Sequence, residues 1–179
     1  MKPKAILIHG NGGCTAGDIW LPWVERELSA AGLDVINRTF PDNVKARASY
    51  WLPFLEELGA DDQTILIGHS SGAMAAMRYA ETHRLLGSVL VGVCHTHLGD
   101  AFEAASGYYD APWQWDRIRN NQRWIGIYQS SDDPLIPVAE ARFVAAQLKC
   151  SYFEHSDRGH FIDSREFPEL VAFVRRQLS

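Results

Sequence analysis

The stretch Ile65-Leu66-Ile67-Gly68-His69-Ser70-Ser71-Gly72 constrains this chain more than any other. A short apolar run breaks off into G-H-S-S-G and passes directly into Ala73-Met74-Ala75-Ala76-Met77, a series of good helix formers. A buried strand, a sharp turn and a helix therefore meet around one serine. A G-x-S-x-G turn in this context sets its middle residue, Ser70, at the apex in a strained backbone conformation. Gly68 and Gly72 flank it because a Cβ at either position would collide with the neighbouring strand or helix. The helix N-terminus then lies beneath the hydroxyl, and its free N–H groups favour negative charge there. The pattern is short and occurs by chance in many chains, so its meaning depends on what surrounds it.

Read in order, the chain alternates strand and helix. Ala5-Ile6-Leu7-Ile8 is a continuous apolar run, as expected of a strand buried on both faces of a parallel sheet. It ends in His9-Gly10-Asn11-Gly12-Gly13, a tight glycine-rich loop. Residues 18–31 carry Ile19, Trp20, Trp23, Val24 and Leu28 at helical spacing, with Asp18 as the candidate N-cap and Gly32 as the stop. Asp34 to Phe40 reads as the second strand, and residues 44–58 as a helix that Pro53 is expected to bend or divide. The third strand and the serine turn occupy 64–72, followed by an alanine-rich helix to about His83 and a fourth strand at 88–93. The stretch 94–122 is the longest irregular one, with a short helix expected from Pro112 to Asn120. A fifth strand at 124–128, a helix at 138–148, a sixth strand at 151–154 and a last helix at 167–178 complete the chain. The alternation predicts a three-layer α/β/α sandwich over a six-stranded, mostly parallel sheet, with residues 1–179 as one domain.

In open sheets of this kind, sites form at the carboxyl ends of the strands. The chemistry-bearing residues fall there: Asn11 after strand one, Ser70 after three, Asp132 and Asp133 after five, His160 after six. A serine hydroxyl needs an adjacent base to act as a nucleophile, and a histidine supplies one when a buried carboxylate fixes its tautomer. The chain order serine, acid, histidine is one of the orders that serves this chemistry. Two carboxylates compete for the acid. Asp133 is preferred because Pro134 can fix the direction of its loop; Asp132, one residue closer to the strand, is the alternative, and the bland reading is that one or both cap the following helix or stabilise the turn. His160 lies in Asp157-Arg158-Gly159-His160-Phe161, between the last strand and the last helix. The N–H groups of Ser71 and of Asn11, with Gly12 as the next choice, are the expected oxyanion donors. A phosphate cradle is disfavoured, since G-N-G-G lacks the lysine and spacing of such loops.

The other histidines read as structural. His9 sits at the base of the glycine loop, and His69 is expected to pack or to hydrogen-bond locally. Cys94-His95-x-His97 supplies metal-ligand types without a fourth partner nearby. Neither a metal nor an organic cofactor is expected. Tyr108, Tyr109, Trp113 and Trp115 lie in the stretch that should overhang the site. Of these, Tyr108, Trp113 and Trp115 are the predicted substrate-binding residues, the alternative being that they are core.

Charge and cysteine content narrow the setting. A net charge of −5 without a basic run argues against nucleic acid or an anionic membrane as partner. The cysteines, Cys14, Cys94 and Cys150, are widely spaced and odd in number, which fits a reduced cytoplasmic chain better than a disulfide scaffold. The apolar run after Lys4 is too short for a signal-peptide core, and no run reaches membrane-spanning length.

With these positions in hand, the chain resembles the retinoblastoma-binding protein 9 family of small serine hydrolases with an α/β-hydrolase fold. The resemblance runs nearly end to end. It rests on Asn11-Gly12-Gly13, Trp51-Leu52-Pro53-Phe54, Ile67 to Ala73 continuing into Ala76-Met77-Arg78-Tyr79-Ala80-Glu81-Thr82-His83-Arg84, Leu98-Gly99-Asp100, Ala105-Ser106-Gly107-Tyr108, Pro112-Trp113-Gln114-Trp115, Asp132-Asp133-Pro134 and Gly159-His160-Phe161. It implies a minimal α/β-hydrolase fold with strand order 2-1-3-4-5-6 and no large cap domain. It also implies Ser70 as nucleophile, Asp133 as acid and His160 as base. One departure matters: where the vertebrate protein carries an L-x-C-x-E segment that binds the retinoblastoma protein, this chain has Leu58-Gly59-Ala60-Asp61-Asp62. That partner is not expected.

The sequence thus predicts a serine hydrolase for small ester or amide substrates, working through an acyl-enzyme. The rival readings are a non-catalytic interaction module that kept the fold, and an acyltransferase that uses the same triad.

Overall fold

In a computed structural model of the protein, which describes residues 2–179, six strands form one sheet. They are β1 (Lys4–Ile8), β2 (Asp34–Asn37), β3 (Thr64–His69), β4 (Gly87–Val91), β5 (Trp124–Ser130) and β6 (Ser151–His155). The order is β2-β1-β3-β4-β5-β6, and every neighbouring pair is parallel. The order is the expected one, and the sheet is wholly rather than mostly parallel. β1, β3 and β4 lie inside it, and their apolar runs are continuous because both faces are covered. The edge strands β2 and β6 are only partly buried.

Side chains alternate across the sheet and divide the core in two. Ile6, Ile8, Leu66, Leu90, Ile125 and Ile127 pack beneath α2 (Ala48–Glu57), α3 (Ser71–Ala80), α5 (Trp115–Asn120) and α6 (Val138–Leu148). Ala5, Leu7, Ile65, Ile67, Val89, Val91 and Tyr128 meet α1 (Leu21–Ala30) and α7 (Pro168–Leu178) on the other face. α3 is buried along almost its whole length, which its small residues allow. Between β4 and β5 lie the single-turn α4 (Ala101–Ala104) and α5, and no large cap covers the described residues.

Boundaries shift where local chemistry overrides periodicity. Asp18 does not cap α1; its Oδ2 accepts from the N–H and hydroxyl of Thr15 in the preceding turn, and the helix starts at Leu21 with Pro22 in its first turn. β2 stops at Asn37 because the Phe40 N–H donates to His9 Nε2 rather than to a ladder. Residues 42–46 form a turn, with Asp42 and Ala46 in the left-handed region, so α2 begins only at Ala48. The helix then runs through Pro53 undivided. α4 was unexpected; Asp100 caps it, its Oδ1 accepting from the N–H groups of Phe102 and Glu103.

Candidate active site

The turn from β3 into α3 sets Ser70 at φ 53°, ψ −122°, in a region that side chains rarely enter. Packing holds it there. A Cβ on Gly68 would stand 2.2 Å from the Gly72 carbonyl oxygen, and one on Gly72 would stand 2.4 Å from that of Ile8. The Ser70 N–H donates to the Val91 carbonyl at 2.8 Å, which ties the apex to the end of β4. The N–H of Ser71 belongs to the first turn of α3 and has no carbonyl to bond within the helix.

His160 and Asp133 meet across the ends of β5 and β6. The His160 Nδ1–H donates to Asp133 Oδ2 at 2.7 Å, and the two side chains are 4% and 0% exposed. This bond selects the tautomer and leaves Nε2 free to take a proton. Asp133 Oδ2 also accepts from the Gln129 side chain at 3.0 Å, while Oδ1 accepts from the N–H groups of Leu135 and Ile136 at 2.8 and 3.0 Å. Burial by itself would push the Asp133 carboxyl up; the bond and charge of His160 and these two N–H groups outweigh it and hold the carboxyl below its usual range. Asp132 points elsewhere, toward the backbone of the loop that carries His160.

Ser70 and His160 line one cavity of about 470 Å³, and Asn11 and Glu103 share its wall. The N–H groups of the glycine loop differ in how they are used. The Gly12 N–H donates to the Val44 carbonyl at 3.0 Å and the Gly13 N–H to that of Asn43 at 3.1 Å, so Gly12 is committed to the loop's own fold. The Asn11 side chain is fixed by Glu103, its Nδ2 donating to Oε1 at 2.6 Å. His9 is structural as expected: Nδ1–H donates to the Gly10 carbonyl and Nε2 accepts from the Phe40 N–H. Burial lowers its pKa and keeps the ring neutral.

The predicted substrate-binding aromatics are not in the cavity wall. Tyr108 is fully buried in the core, and its carbonyl accepts from Arg78. Trp113 Nε1 donates to the His95 carbonyl at 2.8 Å, and the Arg78 guanidinium lies 3.7 Å above its ring. Trp115 stacks on Trp113 with 5.8 Å between centroids. Arg78 gathers the carbonyls of Tyr108, Ala111 and Pro112, and so pins this segment to α3 instead of over the site. The wall comes from residues nearer β4 and β5: Leu98, Phe102, Glu103, Leu135 and Ile136. Leu98, Phe102 and Leu135 are exposed at its rim. The sequence marks these only weakly, through the cap at Asp100 and the apolar pair that follows Asp133-Pro134. Gln129, a polar residue inside the apolar strand Trp124–Ser130, was the available signal for the partner of Asp133.

His69 packs as expected, buried against Trp20, but it does not hydrogen-bond locally. Its bond is long-range, Nε2–H donating to the carbonyl of His160 at 2.8 Å. The Cys94-His95-x-His97 residues are separately engaged: Cys94 Sγ contacts the Tyr109 hydroxyl, the His95 N–H donates to Glu140, and His97 Nδ1 accepts from the Gly99 N–H.

The chain is 44% identical to the Rattus norvegicus protein named Serine hydrolase RBBP9, over 98% of this chain and 96% of that one. In three dimensions it superposes on the crystal structure of the ydeN gene product from Bacillus subtilis with a TM-score of 0.90 at 21% identity, over 99% of each chain. Est1E from Butyrivibrio proteoclasticus matches with a TM-score of 0.75 at 16% identity, over 99% of this chain and 88% of that one. These likenesses give the α/β-hydrolase fold. With residues 5–173 matching the family model described as serine hydrolase, the chain belongs to the serine hydrolase family.

Proposed function

We propose that the protein hydrolyses small ester or amide substrates through an acyl-enzyme, with Ser70 as nucleophile, His160 as general base and Asp133 as the orienting acid. The observation that carries this reading is the buried His160–Asp133 hydrogen bond beside a serine held in the left-handed elbow conformation on the wall of the same cavity. Ser70 Oγ attacks the carbonyl carbon while His160 Nε2 takes its proton. The oxyanion accepts hydrogen bonds from the N–H groups of Ser71 and Asn11, each worth roughly 3–4 kcal/mol in comparable sites. Collapse expels the alcohol or amine, which leaves with the proton from His160. Water then attacks the acyl carbon as His160 takes its proton, the acid departs and Ser70 is restored. The apolar rim of Leu98, Phe102 and Leu135 suits an uncharged, apolar substituent next to the scissile bond. The unpaired cysteines suit a reducing, cytoplasmic setting.

Labelling with a fluorophosphonate probe tests the reading. Wild type should be labelled at Ser70, Ser70→Ala not at all, and His160→Ala at least 100-fold more slowly. A folded wild-type protein that takes no label, or takes it on another residue, would overturn the proposal.

A further inference from the structure

Ser70, His160 and Asp133 account for the chemistry but not for what keeps the His160 loop in place. Gly159 and Phe161, on either side of His160, both lie in the left-handed region, at φ 50° and 59°. A non-glycine residue there is strained, and such a bend persists only when its surroundings over-determine it. On the C-terminal side the Phe161 ring does this, buried and stacked on Phe167. On the N-terminal side no side chain of the loop is buried in the same way; the Arg158 guanidinium pairs with Glu169 at 2.9 Å, and the other anchors are hydrogen bonds to the backbone.

Those bonds converge on Asp132. Its Oδ1 accepts from the Gly159 N–H at 2.9 Å and from the Ser130 hydroxyl at 2.5 Å. Ser130 Oγ in turn accepts from the Arg158 N–H at 3.1 Å. Two consecutive N–H groups just before His160 are thus held by one carboxylate and one hydroxyl at the end of β5. Adjacent carboxylates divide the work: Asp133 takes the imidazole, and Asp132 takes the main chain that carries it. The Ser130 hydroxyl and the loop N–H groups hold the Asp132 carboxyl below its usual range, so its bonds are charge-assisted. We propose that Asp132 is the positioning residue for the catalytic histidine, acting through the Gly159 N–H and, by way of Ser130, the Arg158 N–H. The proposal rests on the triad reading above.

Asp132 is exposed. When it is removed, water can satisfy the freed N–H groups and the fold persists. The loop, however, loses its hold on the Gly159 N–H and on Ser130, while the His69 bond to the His160 carbonyl remains. Displacements of about 1 Å in such arrangements cost on the order of 100-fold in rate.

The test compares Asp132→Ala, Asp132→Asn and Ser130→Ala with wild type, by fluorophosphonate labelling rate and by amide hydrogen exchange. Asp132→Ala should label about 10- to 100-fold more slowly, with exchange accelerated at residues 158–160 and unchanged in β5 and α7. Asp132→Asn keeps an acceptor oxygen and should label within about fivefold of wild type. Ser130→Ala should fall between the two. Unchanged labelling in Asp132→Ala, an asparagine variant as slow as alanine, or faster exchange throughout β5 and α7 would each overturn the positioning role. A folded wild type that takes no label overturns the triad reading and this inference with it; a labelled wild type and an equally labelled Asp132→Ala overturn this inference alone.

Discussion

The imidazole of His69 and the main chain of His160 are joined by a hydrogen bond: the His69 Nε2–H donates to the His160 carbonyl oxygen at 2.8 Å, with ring centroids 4.9 Å apart. His69 is the last residue of β3 and is enclosed by Trp20 and the sheet, so its ring meets no water. Burial, reinforced by the neighbouring His160, pushes its pKa down from 6.5 to about 3. The ring is therefore neutral in the native state and takes up a proton on unfolding below pH 6.5. The native state binds fewer protons than the unfolded state in that range, so stability is lost as pH falls from 6.5 toward 3, by about 1.4 kcal/mol per pH unit for this one group. His69→Gln lacks the titration. Urea unfolding at pH 7 and pH 5 should show wild type losing about 2 kcal/mol more than the variant. Equal losses would contradict a neutral, buried His69.

Backbone packing at the serine turn predicts unequal costs for single methyl groups. A Cβ on Gly72 would stand 2.4 Å from the Ile8 carbonyl oxygen and 2.7 Å from that of His9, both fixed by the sheet. Gly72→Ala should cost about 3 kcal/mol or more, since neither side can yield. Gly12 has positive φ, but none of the described residues comes within 4 Å of its would-be Cβ. Gly12→Ala should cost only about 1–2 kcal/mol, the conformational term alone. Chemical denaturation of the two variants measures both; a smaller loss for Gly72→Ala than for Gly12→Ala would refute the steric account.

What the sequence revealed follows the reach of the forces involved. β1, β3 and β4 were legible because strands covered on both faces must be continuously apolar. The Ser70 turn was legible because its glycines answer to steric demands within a few residues, and the meeting of Asp133 with His160 because each follows the end of a neighbouring strand. The cavity wall was not. Whether Tyr108 and Trp113 line a pocket or fill a core depends on how Arg78, thirty-odd positions earlier, gathers the carbonyls of residues 108, 111 and 112. No periodicity in 94–122 encodes that contact. The same holds for Gly12, whose N–H is claimed by Val44, and for His69, whose partner is a carbonyl at the far end of the chain.

The core placement of Tyr108 carries its own test. Its ring is fully buried among α2, α3 and the segment after α4, and its hydroxyl has no partner among the described residues. Burial raises the phenol well above its ordinary pKa, so it stays protonated throughout the working range. Tyr108→Phe removes a polar atom without opening a cavity. It should change stability by no more than about 1 kcal/mol in either direction and leave KM for a small ester within about twofold. A several-fold rise in KM with unchanged stability would return Tyr108 to the substrate site.

Glu103 puts one of two carboxyl groups in the cavity wall. One oxygen holds the Asn11 side chain at 2.6 Å, while Oε2 is buried without a partner among the described residues, and Asp100 shares the wall. Burial raises the Glu103 carboxyl and Asp100 adds to the shift, while the Asn11 bond opposes them. An ionised group here disfavours substrates that carry a carboxylate near the scissile bond. At separations of several ångströms and an effective dielectric near 20, that repulsion is of order 1–3 kcal/mol. Glu103→Gln keeps an oxygen for Asn11 and removes the charge. Its preference for a neutral ester over the half-ester of a dicarboxylic acid, read as a ratio of kcat/KM, should shrink about tenfold relative to wild type. The wild-type preference should also weaken as salt rises, because screening shortens the reach of the charge. It should weaken again as pH falls toward the raised Glu103 value, since protonation removes the charge that the substitution removes. A ratio that neither the substitution nor salt alters would mean that Glu103 acts only as the strut for Asn11.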